Sequence, residues 1–224
     1  MRLVLAALSF LLVVAAAPAP DPLLQQIVAG ARAVPPASAR WERALKQSGQ
    51  EAGDSRTESH SRTERWDGKQ LTLINVDGKP PTADDIASHR KASAGRPLPG
   101  YHRVADYFGT GAIRSQDAQG RMFYRVNGLP KGSINIGRDI SGSLVAEALI
   151  DNSGPQPFVS RLRITLPKPL GLMFMARLDS FEAVSEYRLV GGRPMLVRQT
   201  QVIAGKQMGK SGTSRSESLY TILG

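Results

Sequence analysis

The sequence predicts a mainly β chain of the α+β class, a large antiparallel sheet packed on one or two short helices. Three observations carry that reading. Six segments after residue 120 are strand candidates separated by turn chemistry such as Asp151-Asn152-Ser153-Gly154 and Gly191-Gly192. Earlier, Trp66 leads into Asp67-Gly68 and a second extended stretch, which is the signature of a tight hairpin. Only two places have the residues that start a helix.

The chain opens with Arg2 and an apolar run from Leu3 to Val14, followed by Ala15, Ala16 and Ala17. That run is shorter than the roughly 20 residues that span a bilayer, so residues 1–17 read as a cleavable secretory leader. Residues 18–224 are then expected to form a single domain, with no later segment long and apolar enough to anchor it in a membrane. With Cys 0, the chain carries neither a disulfide nor a lipid-attachment cysteine.

The elements follow in order. Asp21 before Pro22 is a helix start, because the carboxylate accepts an orphan amide and proline at the first helical position loses no hydrogen bond. Leu23, Leu24, Ile27, Val28 and Ala31 then share one stripe, and Gly30 with Pro35-Pro36 closes the helix. Residues 40–46 are assigned to a strand, followed by a loop over 48–54. From 55 to 65 the chain alternates: Ser55, Thr57, Ser59, Ser61 and Thr63 point one way, their charged neighbours the other, and neither face is apolar. Asp67-Gly68 predicts a type I′ turn into a strand carrying Leu71, Leu73 and Val76. Asp77 to Pro81 is a rigid turn, and Thr82 with Asp85 is a capping box for a polar helix through Lys91. Residues 101–108 are apolar-rich and are given no assignment.

The remaining strand candidates are 121–126, 143–150, 158–166, 177–190, 194–204 and 208–223. In the third, Phe158, Leu162, Ile164 and Leu166 oppose Arg161 and Arg163; in the fourth, Phe181, Ala183, Tyr187 and Leu189 oppose Glu182, Glu186 and Arg188. One sheet face is therefore buried or lines a cavity. The last strand presents Ser214, Ser216 and Ser218 together, which either pair with the serine/threonine row of 55–63 or admit a close helix.

No catalytic or metal-binding constellation is present. His60, His89 and His102 stand alone, no G-x-S-x-G elbow or phosphate loop occurs, and Asp84 and Asp85 diverge as first-turn partners of a helix dipole. No enzyme activity, cofactor or metal is expected. The formal charge of +10 attracts anions, and with aromatics at only 6% and the basic residues scattered, an anionic envelope surface fits it better than nucleic acid. The apolar candidate is the segment 166–178, where Leu170, Met173, Phe174 and Met175 crowd together as either the lining of an acyl-chain cavity or a connection buried under the sheet. Trp66, Tyr124, Phe158, Phe181 and Tyr187 complete that candidate site.

The element order, the loop NVDGKPPTADDIA at 75–87 and the terminal SRSESLYTI resemble the LolA-like lipoprotein-carrier superfamily of bacterial envelopes. The resemblance implies an incomplete antiparallel barrel, or half-barrel, curled over helices, a periplasmic location, and a non-enzymatic role binding a lipid or lipidated protein in an apolar concavity. The chain looks like an uncharacterised branch of that superfamily. The alternative is an envelope interaction or scaffold module that acts through its basic surface without a small ligand.

Overall fold

The computed structural model describes residues 21–35, 39–52, 57–108, 111–173 and 176–223. The predicted leader at 1–17, together with Phe174 and Met175, lies outside the described residues.

The first helix forms as its sequence dictates. In α1 (Pro22–Arg32), the Asp21 carboxylate accepts from the Leu23 and Leu24 amides at 2.9 and 3.4 Å, and Ile27, Val28 and Ala31 are buried. The helix continues through Gly30 for two further residues. Then come β1 (Arg40–Glu51), β2 (Glu58–Trp66) and β3 (Leu71–Val76). The loop predicted at 48–54 is partly strand, because β1 has a partner on each side as far as Gly49 and pairs with the last strand as far as Glu51.

Two turns exchange the geometry expected of them. Trp66 pairs with Leu71, so residues 67–70 form a four-residue loop rather than a two-residue type I′ turn. Asp67 closes it by accepting from the amides of Lys69 and Gln70, both at 2.8 Å. The type I′ geometry instead appears at Asp77-Gly78, where φ is +48° and +80° and Val76 and Lys79 exchange both backbone hydrogen bonds at 2.9 Å.

The capping box holds as read: Asp85 N donates to Thr82 Oγ1 and Thr82 N to Asp85 Oδ2, opening α2 (Ala83–Ser93). The unassigned stretch becomes a 3-10 turn at Tyr101–Arg103 and the short α3 (Val104–Tyr107). Then follow β4 (Ile113–Gln116), β5 (Met122–Asn127), β6 (Val145–Asp151), β7 (Phe158–Thr165), β8 (Leu170–Met173), β9 (Ala176–Val190), β10 (Arg193–Gln207) and β11 (Lys210–Leu223).

The described strands make an eleven-stranded antiparallel sheet in the order β3-β2-β1-β11-β10-β9-β7-β6-β5-β4, with β8 paired to β9 beside it. Its two edges, β3 and β4, do not pair with each other, so the sheet is an open half-barrel. The chain from β3 to β4 must cross from one edge to the other, and it carries α2 and α3 with it. Buried residues from α1, α3 and the inner face of strands from β1 to β11 merge in one core.

One bulge alters a predicted face. Leu178 and Phe181 differ in parity yet both are buried, because the β9–β10 register slips at Ala204/Gly205 and Asp179 is the extra residue. Glycine is required there, since a Cβ at 205 would lie 2.5 Å from the Arg177 carbonyl oxygen. At the other end of β9, Leu189 is 48% exposed rather than buried, because pairing to β7 stops at Arg161↔Glu186.

Candidate functional site

The inner face of the sheet is divided. Over β5, β6, β7 and β9 it is filled by core side chains; over β10, β11 and β1, beyond the buried Leu196, Tyr220 and Trp41, it turns polar, with Gln47, Gln199, Gln201 and Ser216 around a hollow. Each region borders a cavity.

The larger cavity is a cleft of about 1020 Å³ at the end of the sheet where β9 turns into β10. Gly30 of α1 and Ala33 just after it form one wall, Tyr101 and Phe158 another, and Leu189 and Arg193 line it from either side of the β9–β10 turn. Arg193 is its single charged lining residue among the described residues. Tyr101 is fixed by accepting from the Val159 amide at 2.9 Å and by an edge-on ring contact with Tyr187 at 5.2 Å. Burial pushes its hydroxyl up to about 12, so it stays protonated at neutral pH.

The predicted apolar site is split by the fold. Phe158 lines the cleft. Tyr124, Phe181 and Tyr187 are buried in the core, where they support the sheet. Tyr124 donates to Asp21 Oδ2 at 2.8 Å, tying β5 to the start of α1; burial and that carboxylate raise its pKa. Trp66 lies opposite Trp41 at the end of the β1–β2 ladder, packed against the core. Leu170 packs on the core from β8, and Met173 pairs with Ala176 at the start of β9. Leu170 is opposite Leu178, eleven residues along β9 from Leu189, a span of about 36 Å at 3.3 Å per residue. The 170–173 strand and Phe158 therefore belong to opposite ends of the sheet.

The polar half of the face contains an ion cluster that sequence reading missed. Glu64 is 0% exposed and faces inward between Arg43, Arg62 and His89. Arg43 donates through both Nε and Nη2, Arg62 Nε lies 2.7 Å away, and His89 Nε2 reaches it from α2 at 3.2 Å. Burial alone would raise the Glu64 pKa, but Arg43, Arg62 and His89 outweigh it and hold the carboxyl below its usual range. Arg43 also lies near the rings of Trp41 and Tyr220, at 5.9 and 6.0 Å from their centroids. The alternation predicted for 55–65 matches β2 from Glu58 onward, with Ser55 and Arg56 outside the described residues, yet with no apolar face it does not say which side turns inward.

The two serine/threonine rows lie on opposite faces. Ser59, Ser61 and Thr63 point outward, since Glu64 and Arg62 share the face of Tyr220 and Ser218 across β1. The outer face carries a ladder of paired charges: Arg125–Glu147, Arg163–Glu182 and Arg198–Glu217 at 3.4, 2.7 and 2.8 Å.

Among the described residues no group of three or more metal-ligating side chains comes together, and no helix is long and apolar enough to cross a membrane. No protein-family profile and no curated protein matches the chain. Among solved structures it is similar to a LolA superfamily protein from Nitrosomonas europaea, at 11% identity and a TM-score of 0.40, over 88% of this chain and 91% of that one.

Proposed function

We propose that this chain is a non-enzymatic periplasmic protein, exported by the leader at 1–17, that holds the acyl chain of a lipid or lipidated protein in the cleft between α1 and the β9–β10 turn. The observation that carries the reading is the cleft itself: about 1020 Å³, walled by Phe158, Leu189 and the small residues of α1, with Arg193 as its single charge among the described residues. Such a lining favours an apolar chain, and the arginine suits an anionic group at its head.

The test is mass spectrometry of an organic extract from protein purified without detergent from its native cells. A stoichiometric acyl ligand is expected, and a clean extract from folded protein would overturn the reading. A companion variant locates the site. A Cβ at Gly30 meets nothing within 4 Å, so Gly30→Trp plugs the cleft from α1 without disturbing the core and should abolish ligand retention. Replacing a helical glycine by tryptophan also favours α1 by about 0.5 kcal/mol, so the variant should unfold no earlier than the parent. Met173→Asp probes the far end of the sheet, and unchanged retention there confines the site to the cleft.

A further inference from the structure

We infer that the open half of the inner face is a second binding site, for a neutral, hydroxyl-rich ligand the size of one sugar ring. A hollow of about 250 Å³ lies there, room for roughly eight waters at about 30 Å³ each. It shares no lining residue with the apolar cleft. Along β10, Gln201 is seven residues from Pro194 at the cleft, or about 23 Å at 3.3 Å per residue.

The strand register explains the hollow. Gln47 of β1, Ser216 of β11 and Gln201 of β10 stand directly opposite one another in one cross-strand row. The next row is Leu45, Ser218 and Gln199. A small serine between two long amides leaves a gap in the centre, and each glutamine amide that borders it offers two donors and an acceptor. Arg43 closes one end, in the adjoining cross-strand row where it stands opposite Tyr220.

The contrast between the two faces of these strands gives the hollow its meaning. The neighbouring outward rows carry Lys46, Glu217, Arg215 and Arg198, the charged residues of an ordinary solvated face. Among the described residues that line the hollow, Arg43 is the only charged one, and it is paired with Glu64. Neutral amides and hydroxyls, from the exposed Gln47 to the buried Ser218, add little to a core, and they lack the charge that marks a plain wet surface. They do match a ligand that both donates and accepts many hydrogen bonds without net charge.

The experiment is a titration of the purified protein with D-glucose, D-galactose and N-acetyl-D-glucosamine, followed through backbone amide NMR shifts, with inorganic phosphate as a separate arm. At least one sugar should give saturable shifts at Gln47, Gln201 and Ser216 by about 20 mM, as a Kd of about 1 mM requires. Ser216→Val fills the gap with a good strand former: it should weaken binding at least tenfold while leaving Tm unchanged or higher, and Thr200→Val on the outer face should change nothing. The inference is overturned if no sugar saturates, if Ser216→Val binds as well as the parent, or if phosphate alone produces the shifts.

Discussion

A carboxylate with no exposed surface survives at position 64 only because two guanidinium groups and an imidazole surround it. Glu64→Gln keeps the shape and strands Arg43 and Arg62 without their counter-ion. Breaking a buried pair costs about 3–5 kcal/mol, and the low end applies because Arg62 remains 39% exposed. Urea denaturation at pH 7 should therefore show a loss of about 3 kcal/mol. The same residue sets an acid limb. Its folded-state pKa lies below the ordinary 4.5, so its stabilisation is fully present above about pH 4.5 and disappears as pH falls through the lowered value. The parent should lose stability more steeply than Glu64→Gln below that pH; parallel curves would show that Glu64 is not the group responsible. Nothing in the sequence named this residue. The alternation of 55–65 divided two polar faces, and burial depends on β1 and α2, which arrive from elsewhere in the chain.

At the scale of elements, legibility followed length and local chemistry. The long strands β9, β10 and β11, of 15, 15 and 14 residues, were visible because alternation persists across them. The strands β4 and β8, of four residues each, are too short to display a period and were missed. Asp67-Gly68 and Asp77-Gly78 are the same dipeptide with different outcomes, decided by where the flanking strands pair and by which amides the aspartate captures. Asp21 was read as a helix cap, but its second role depends on tertiary contact. It also accepts from Tyr124, a buried hydroxyl 103 residues away. Asp21→Ala therefore removes a cap worth about 1 kcal/mol and orphans a donor at about 1–3 kcal/mol more. Tyr124→Phe added to Asp21→Ala should recover part of the second cost, because no unpaired hydroxyl then remains. A double-mutant cycle by thermal unfolding measures that recovery, and strict additivity would deny the coupling.

For the whole molecule, the sequence disclosed an antiparallel sheet but not its strand order. A meander implies sequential neighbours, and β4 to β11 largely obey that rule. The pairing of β1 with β11, from Arg40↔Leu223 to Glu51↔Gly212, leaves no local trace, because it joins segments more than 150 residues apart. That ladder nonetheless holds the sheet together: it joins the β1–β3 strands, with the Glu64 cluster, to the strands that carry both cavities' remaining walls. The core is likewise continuous, with Trp41 and Tyr220 packed edge-on at 5.5 Å in the same cluster as Phe108, Tyr124 and Leu162. Peeling β1 from β11 would expose Trp41 and Tyr220 to water together, so partial unfolding has no low-cost boundary along this sheet. Both tryptophans sit on the β1–β2 pair, whereas far-ultraviolet circular dichroism reports every strand. The two signals should trace one superimposable urea transition, as a single cooperative domain requires. A dichroism midpoint separated from the tryptophan midpoint would instead show that β4 to β7 unfolds apart from β1 to β3, and the sheet would then be two energetic units sharing one ladder.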